Sequence, residues 1–424
     1  MAGYVLSNIN PTTSQWDALT GMNNNGTLPG PPTADGEPNI FYVKTPLFNF
    51  QFSFDENGNP VFSNATGIQV FARNFNNSTN YANCSFEVID DQGNQYYFGS
   101  TPASVENTTT TLFNTSYTFP STWYLDKIVA YNSTDVVSLS YTTAPSSDVL
   151  YHYYGTMISD QQGHVYYDTL NPTASTVAAK YVSRIVSMSG EADFTYSYGR
   201  SDDVNGAILQ NISLQAYNSQ SQSNNSTLQI FYFYYSYFGA PSTDPNVLRF
   251  RLDSIFVVGN TSATSAPLTI KSFVYNTTNQ MPTRKSLSVA DYWGYLHYIP
   301  SETFTLFPNN DRTPVAAAAQ TDVLTSITDL TGLTWNLSYE LNDYYNASSN
   351  TTIKIGGLRV NKLAETLSTG ETLSKTYSYV NSSGNSNGQI LSNSYSLVSI
   401  TKIDTISPGN YDQMTQYYSE SPSE

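Results

Sequence analysis

The chain has one cysteine, Cys84, in 424 residues, so no intrachain disulfide can close and no cysteine-based zinc site can be assembled. Charge is scarce as well. Asp, Glu, Lys and Arg make up 12% of the residues, about half the share common in soluble proteins. The basic sign is the scarcer: 17 Lys or Arg stand against 33 Asp or Glu, a formal net charge of -16. So acidic a chain, with no Lys/Arg cluster, repels a phosphate backbone, and nucleic acid is not an expected partner. Three histidines, His152, His164 and His297, do not stand at HExxH or other metal-ligand spacing. GxSxG, GxGxxG and GxxxxGKS strings are missing, which removes three common nucleophile and phosphate-binding signatures. No segment approaches 18 continuous apolar residues, and the opening MAGYVLSNINPTTSQW lacks a basic leader and an apolar core. Neither a membrane span nor a signal peptide is therefore expected. No cofactor and no metal are expected either.

What the chain has instead is 35 tyrosines and 21 phenylalanines among abundant Asn, Ser and Thr. Amides and hydroxyls solvate it more than ions do, a composition more typical of secreted, surface or virion proteins than of cytosolic enzymes. The aromatics fall into extended runs separated by polar reversals, as in NIFYVKTPLFNFQFSFDENGNPVFS, STWYLDKIVAYNSTDVVSLSY and KYVSRIVSMSGEADFTYSYG. Phe194, Tyr196 and Tyr198 alternate with Thr195 and Ser197, the period of a strand. Successive hairpins predict an all-β fold of antiparallel, sandwich-like sheets. One short helix is predicted near 314–320, with Thr313 as N-cap, Pro314 at the first helical position and Ala316 to Ala319 as strong helix formers.

Four regions are predicted: an extended, weakly packed leader at 1–36, an N-terminal β domain at 37–180, a C-terminal β domain of hairpins at 181–406, and an extended or poorly ordered tail at 407–424.

The densest cluster of motifs is residues 246–308, where Asp291, Tyr292, Trp293, Gly294 and Tyr295 read as a structural aromatic knot, with Trp293 expected to be substantially buried. DENGN at residues 55–59 places oxygens at alternate positions, but Pro60 and Thr66 stand where a calcium loop needs Gly and Glu, so a hairpin turn is favoured. Trp16, Trp123, Trp293, Trp335 and the run at 230–238 could stack on sugars; core and cross-strand packing is the favoured reading. Two of the many carboxylates, among them Glu37, Glu87, Glu191, Glu302 and Glu340, could serve a glycosidase. Asn-x-Ser/Thr sequons at Asn64, Asn77, Asn114, Asn132, Asn225, Asn276, Asn350 and Asn381 are candidate glycosylation acceptors, though a chain this rich in Asn, Ser and Thr produces many by chance.

The order of EPNIFYV with FSFDENGNPVF, DDQGNQYYFG, STWYLDKI, RLDSI, DYWGY, DRTP with its alanine run, LTSITDLTGLTWNLSYELNDYYN, and GGLRVNKL followed by KTYSYVNSSGNSNGQI resembles the large secreted, β-rich proteins of Bacteroidetes that precede or open Rhs/YD repeats. The resemblance runs from Glu37 to Ile390. It implies an all-β scaffold with YD-shell-like sheets; in Rhs-type relatives the repeats can enclose a toxic C-terminal domain. The chain departs from the pattern where LHY follows Tyr295, where DLTGLTW replaces a Pro-Thr-Gly-Gly-Tyr turn, and where no long YD array follows GGLRV. The expected function is an extracellular, surface or particle-associated structural or adhesive scaffold, not an enzyme. Self-association, other surface proteins and glycans are the expected partners. The alternative is a carbohydrate-binding module or carbohydrate-active enzyme with an aromatic cleft.

Overall fold

Phe41, Val43, Phe50 and Phe52 are buried while Tyr42, Lys44, Asn49 and Gln51 between them are exposed, so the period of two decides which side of each strand is dry. The computed structural model describes residues 4–7, 40–55, 59–62, 67–74, 84–112, 115–144, 148–152, 155–159, 165–169, 173–216, 227–259, 267–283, 291, 293–297, 313–388, 398–407 and 410–418. In chain order the strands are β1 Tyr4–Ser7, β2 Phe41–Lys44, β3 Asn49–Phe54, β4 Pro60–Phe62, β5 Gln69–Arg73, β6 Ser85–Ile89, β7 Gln95–Phe98, β8 Val105–Leu112, β9 Thr115–Val129, β10 Val136–Thr143, β11 Asp148–His152, β12 Gly155–Ser159, β13 Val165–Thr169, β14 Thr173–Val177, β15 Lys180–Ser187, β16 Gly190–Tyr198, β17 Ala207–Ala216, β18 Thr227–Phe238, β19 Arg249–Gly259, β20 Leu268–Tyr275, β21 Leu324–Asp329, β22 Thr334–Asn346, β23 Thr351–Thr366, β24 Thr372–Thr376, β25 Val398–Ser407 and β26 Asn410–Tyr418. Every ladder between them is antiparallel among the described residues, and the all-β class holds.

The chain divides into two compact units. One comprises Met1–Tyr153, Asn171–Gly199 and Asn205–Ile230, the other Tyr154–Leu170, Arg200–Val204 and Phe231–Glu424.

The first unit is a sandwich. One sheet runs β4–β3–β2–β1–β9–β8–β14–β11 and the other β5–β6–β7–β9–β10–β15–β16–β17. The long β9 serves both, pairing with β8 and β1 as far as Trp123 and Tyr124 and with β7 from Leu125 onward. Their shared interior is aromatic. Phe41 stacks on Phe52 at 5.1 Å, and Phe86 meets the Trp123 ring edge-on at 5.0 Å. Trp123 is fully buried, and its indole N–H donates to the Cys84 carbonyl at 2.8 Å. Each such side chain contributes about 1.5–3 kcal/mol by leaving water.

In the second unit β19 to β24 form a six-stranded meander, and β12–β13 and β25–β26 are separate hairpins. Its described apolar side chains are mostly half-buried; Leu248, Ala318 and Leu341 are the buried ones among them.

The expected short helix is present, with a different start. The helix is a single turn, Ala316–Ala319, whose N-cap is Val315 in extended conformation without a side-chain bond; Thr313 and Pro314 precede it, because β-branched Val315 favours the extended backbone. Four residues of the polar leader, β1, are laddered on both sides by β2 and β9. In the tail, β26 is paired along its length with β25.

Candidate functional site

A repeated device links tyrosines to strand irregularities. The ladders shift register between Ser140 and Tyr141, Thr195 and Tyr196, Val274 and Tyr275, and Ser338 and Tyr339. At each shift the opposite strand holds one extra residue, Ser183, Gln210, Thr325 and Asn361 in turn. Beside three of these bulges a tyrosine from a later segment donates its hydroxyl to the backbone. Tyr196 reaches the Val182 carbonyl at 2.9 Å, Tyr339 that of Leu324 at 2.7 Å and Tyr379 that of Val360 at 2.7 Å. Val182, Leu324 and Val360 are the ladder partners of Tyr141, Tyr275 and Tyr339. Tyr141 and Tyr275 open the two series by donating to Leu125 at 2.5 Å and Leu252 at 2.6 Å. A bulge disrupts ladder bonding, and the phenol supplies a donor there, a bond that contributes about 0.5–1.5 kcal/mol.

The hairpins close with a shared turn. Asp90, Asp291, Asp329 and Asn381 each donate their N–H to the carbonyl four residues on and accept the N–H of the glycine three residues on. Their Oδ1 atoms accept two more N–H groups, from the second and fourth following residues. Gly93, Gly294, Gly332 and Gly384 hold φ between +79° and +85°, where a side chain would be strained. The Asp291 turn is therefore of the same make as DDQGN, DLTGL and NSSGN. Asp55 likewise takes the Asn59 N–H on Oδ1 at 2.7 Å and the Asn59 side-chain amide on Oδ2 at 3.0 Å, in keeping with a turn there.

The Asp291 turn seats on β23 of the second unit. A Cβ at Gly356 would lie 2.6 Å from Asp291 Oδ2, 2.8 Å from Trp293 Cβ and 2.9 Å from the Tyr295 ring, so only glycine admits it. Nearby, Arg359 crosses to β22, with Nε 2.7 Å from Glu340 and Nη1 2.9 Å from Asp343, while its guanidinium lies 4.4 Å over the Tyr379 ring. Asp343 also receives Lys354 Nζ and Ser386 Oγ, both at 2.7 Å. Burial works against its charge, yet the bonds from Lys354, Ser386 and Arg359 outweigh it and hold the carboxyl below its ordinary range. DYWGY, ELND, GGLR, SYV and NSN, scattered in sequence, thus meet at one node. Sequence reasoning singled out only the first as a structural motif; the buried Ser386 carried no signal.

Other candidates lie elsewhere. Trp293 is half-buried rather than substantially buried, and Gly294 and Tyr295 are exposed, because a turn tip is packed from one side. Asp291 Oδ2 and both His297 ring nitrogens are buried without a hydrogen-bond partner among the described residues. No three His, Cys, Asp or Glu side chains come together to hold a metal among those residues. Trp123 is core, and Trp335 lies under Lys271 Nζ at 4.4 Å. Glu87, Glu191 and Glu340 are ion-paired with Arg73, Arg184 and Arg359. Among the sequons, Asn132 and Asn350 sit exposed in turns with positive φ. The Asn276 amide donates to the Gln320 carbonyl at 2.8 Å, and Asn381 opens its turn. Asn64, Asn77, Asn114, Asn225, Trp16, Tyr292, Glu37 and Glu302 lie outside the described residues.

No family model and no curated protein matches the chain. Among solved structures, the N-terminal domain of effector protein SpvB from Salmonella typhimurium strain LT2 is similar with a TM-score of 0.29 and 8% identity, over 61% of this chain and 87% of that one. A TcdB2-TccC3-TEV crystal structure is similar with a TM-score of 0.32 and 9% identity, over 76% of this chain and 15% of that one. Neither likeness singles out Bacteroidetes, and both are too slight to carry an argument about activity.

Proposed function

We propose that the chain is a structural β-scaffold of the Rhs/YD-associated kind, placed outside the cell or on a particle, and not an enzyme. The observation that supports this most is the tyrosine-to-carbonyl bond repeated beside three bulges, which ties a bulged strand to its neighbour and stiffens the sheet. Glu340 and Asp343, the carboxylates of the motif node, are held by Arg359 and Lys354, an arrangement suited to rigidity. The charge-poor composition and the order of motifs support an exported location.

Incubating the purified protein with plant, microbial and host polysaccharides tests the reading. No sustained product release is expected, and binding without turnover fits a scaffold with an adhesive surface. Sustained release that is abolished by replacing one Asp or Glu overturns it.

A further inference from the structure

β24 pairs with β23 alone among the described residues. All five of its residues are exposed, Leu373 at 66%. An apolar residue on an open edge is a template for another strand. The preceding turn sets which backbone groups are open: the Leu367 N–H donates to the Glu371 carbonyl at 2.8 Å. Glu371 therefore turns its backbone polar groups toward β23, as by alternation do Leu373 and Lys375. Those of Thr372 and Ser374 point outward.

Residues 371–375 read acid, hydroxyl, apolar, hydroxyl, base. Laid antiparallel on itself and centred on Leu373, this string brings Glu371 opposite the partner's Lys375, Thr372 opposite the partner's Ser374, and Leu373 opposite the partner's Leu373. Glu371, Leu373 and Lys375 share one face of the strand, so an apolar pair sits between two ion pairs. Thr372 and Ser374 carry the outward groups that such a ladder needs. Centring the pair on Lys375 instead would oppose like charges, which disfavours that register. We propose that β24 is the interface for a second copy of this chain, joined edge to edge about a two-fold axis through Leu373.

This goes beyond the scaffold reading, which a monomer would also satisfy, so failure here leaves that reading standing. Sedimentation velocity on the full chain, from about 1 to about 100 μM, should show a concentration-dependent dimer. Glu371→Lys and Lys375→Glu should each weaken it about tenfold or more, since each sets like charges opposite one another in both halves of the pair. The double reversal restores opposite signs and should restore the dimer, which separates a specific interface from a damaged fold. Ser374→Pro removes an outward N–H but no bond to β23, and should abolish the dimer with the circular dichroism unchanged. A chain monomeric throughout the range, a dimer indifferent to the single reversals, or a double reversal that stays monomeric would each overturn the proposal.

Discussion

Leu324 is the ladder partner of Tyr275 and, through its carbonyl, the acceptor of the Tyr339 hydroxyl at 2.7 Å. One residue of β21 thus stands in register with β20 and holds a β22 side chain. A slip of β21 by one residue would turn every side chain to the opposite face and take this carbonyl away from Tyr339, so the bond specifies register as well as adding stability.

Removing that hydroxyl should be costly for its size. Tyr339→Phe is expected to lose about 1–2 kcal/mol, because it leaves a half-buried carbonyl without its donor. Tyr234→Phe, at a ring 54% exposed, should fall within about 0.5 kcal/mol of wild type. Urea titration with an unchanged slope measures both; equal midpoints for the two variants would refute a special role for the bond.

The tryptophans should separate by burial. Trp123→Ala opens a cavity among Phe41, Phe86 and Cys84 and should cost about 3–5 kcal/mol. Trp293→Ala, at a half-buried turn tip, should cost about 1–2 kcal/mol by lost apolar contact. Thermal denaturation of both variants checks the order, and a Trp293 effect matching that of Trp123 would show a dry core around the turn.

Gly356→Ala should dislodge the Asp291 turn from β23, since the added methyl meets Asp291, Trp293 and Tyr295 within 3 Å. A loss of about 1–3 kcal/mol should come with a change in tryptophan fluorescence that Gly259→Ala, with nothing near its Cβ and no positive φ, does not produce. An unaltered spectrum in the Gly356 variant would count against the seating.

Asp343 makes part of the stability acid-sensitive. Its folded pKa lies below the ordinary value, so its contribution is complete above the unfolded pKa of about 3.9 and is lost as pH falls through the lower folded value. Asp343→Asn should cost about 2–3 kcal/mol at pH 7, because it removes the charge shared by Lys354 and Arg359 and leaves Arg359, only 16% exposed, with Glu340 as its one carboxylate. The gap between variant and wild type should close in acid, below about pH 4; a gap constant with pH would exclude the carboxylate as its source.

How much of this was legible beforehand depends on the range of the interaction. DDQGN, DLTGL and NSSGN declare their turns locally, because a side-chain oxygen, two or three N–H groups and one glycine lie within five residues. The alternation of Phe194, Thr195, Tyr196 and Ser197 declares a strand for the same reason. The alanine run announced a helical turn, although Val315 rather than Thr313 begins it.

Other features were settled only when distant segments met. Trp123 and Trp293 look alike in a sequence of four tryptophans, yet β9 carries the first between two sheets while the second tops a turn. Gly356 lies inside β23 without a positive φ, so nothing in its own segment demands glycine; the Asp291 turn, arriving from far up the chain, makes it irreplaceable. The acceptors of Tyr196, Tyr339 and Tyr379 likewise depend on an extra residue in another strand, and a bulge is a property of the pairing, which neither strand holds alone. Alternation and turn chemistry by themselves determined an antiparallel β protein, because those forces act between near neighbours. Register, burial and the motif node were decided by tertiary structure, because steric exclusion and hydrogen bonding across strands exist only once the sheets are assembled.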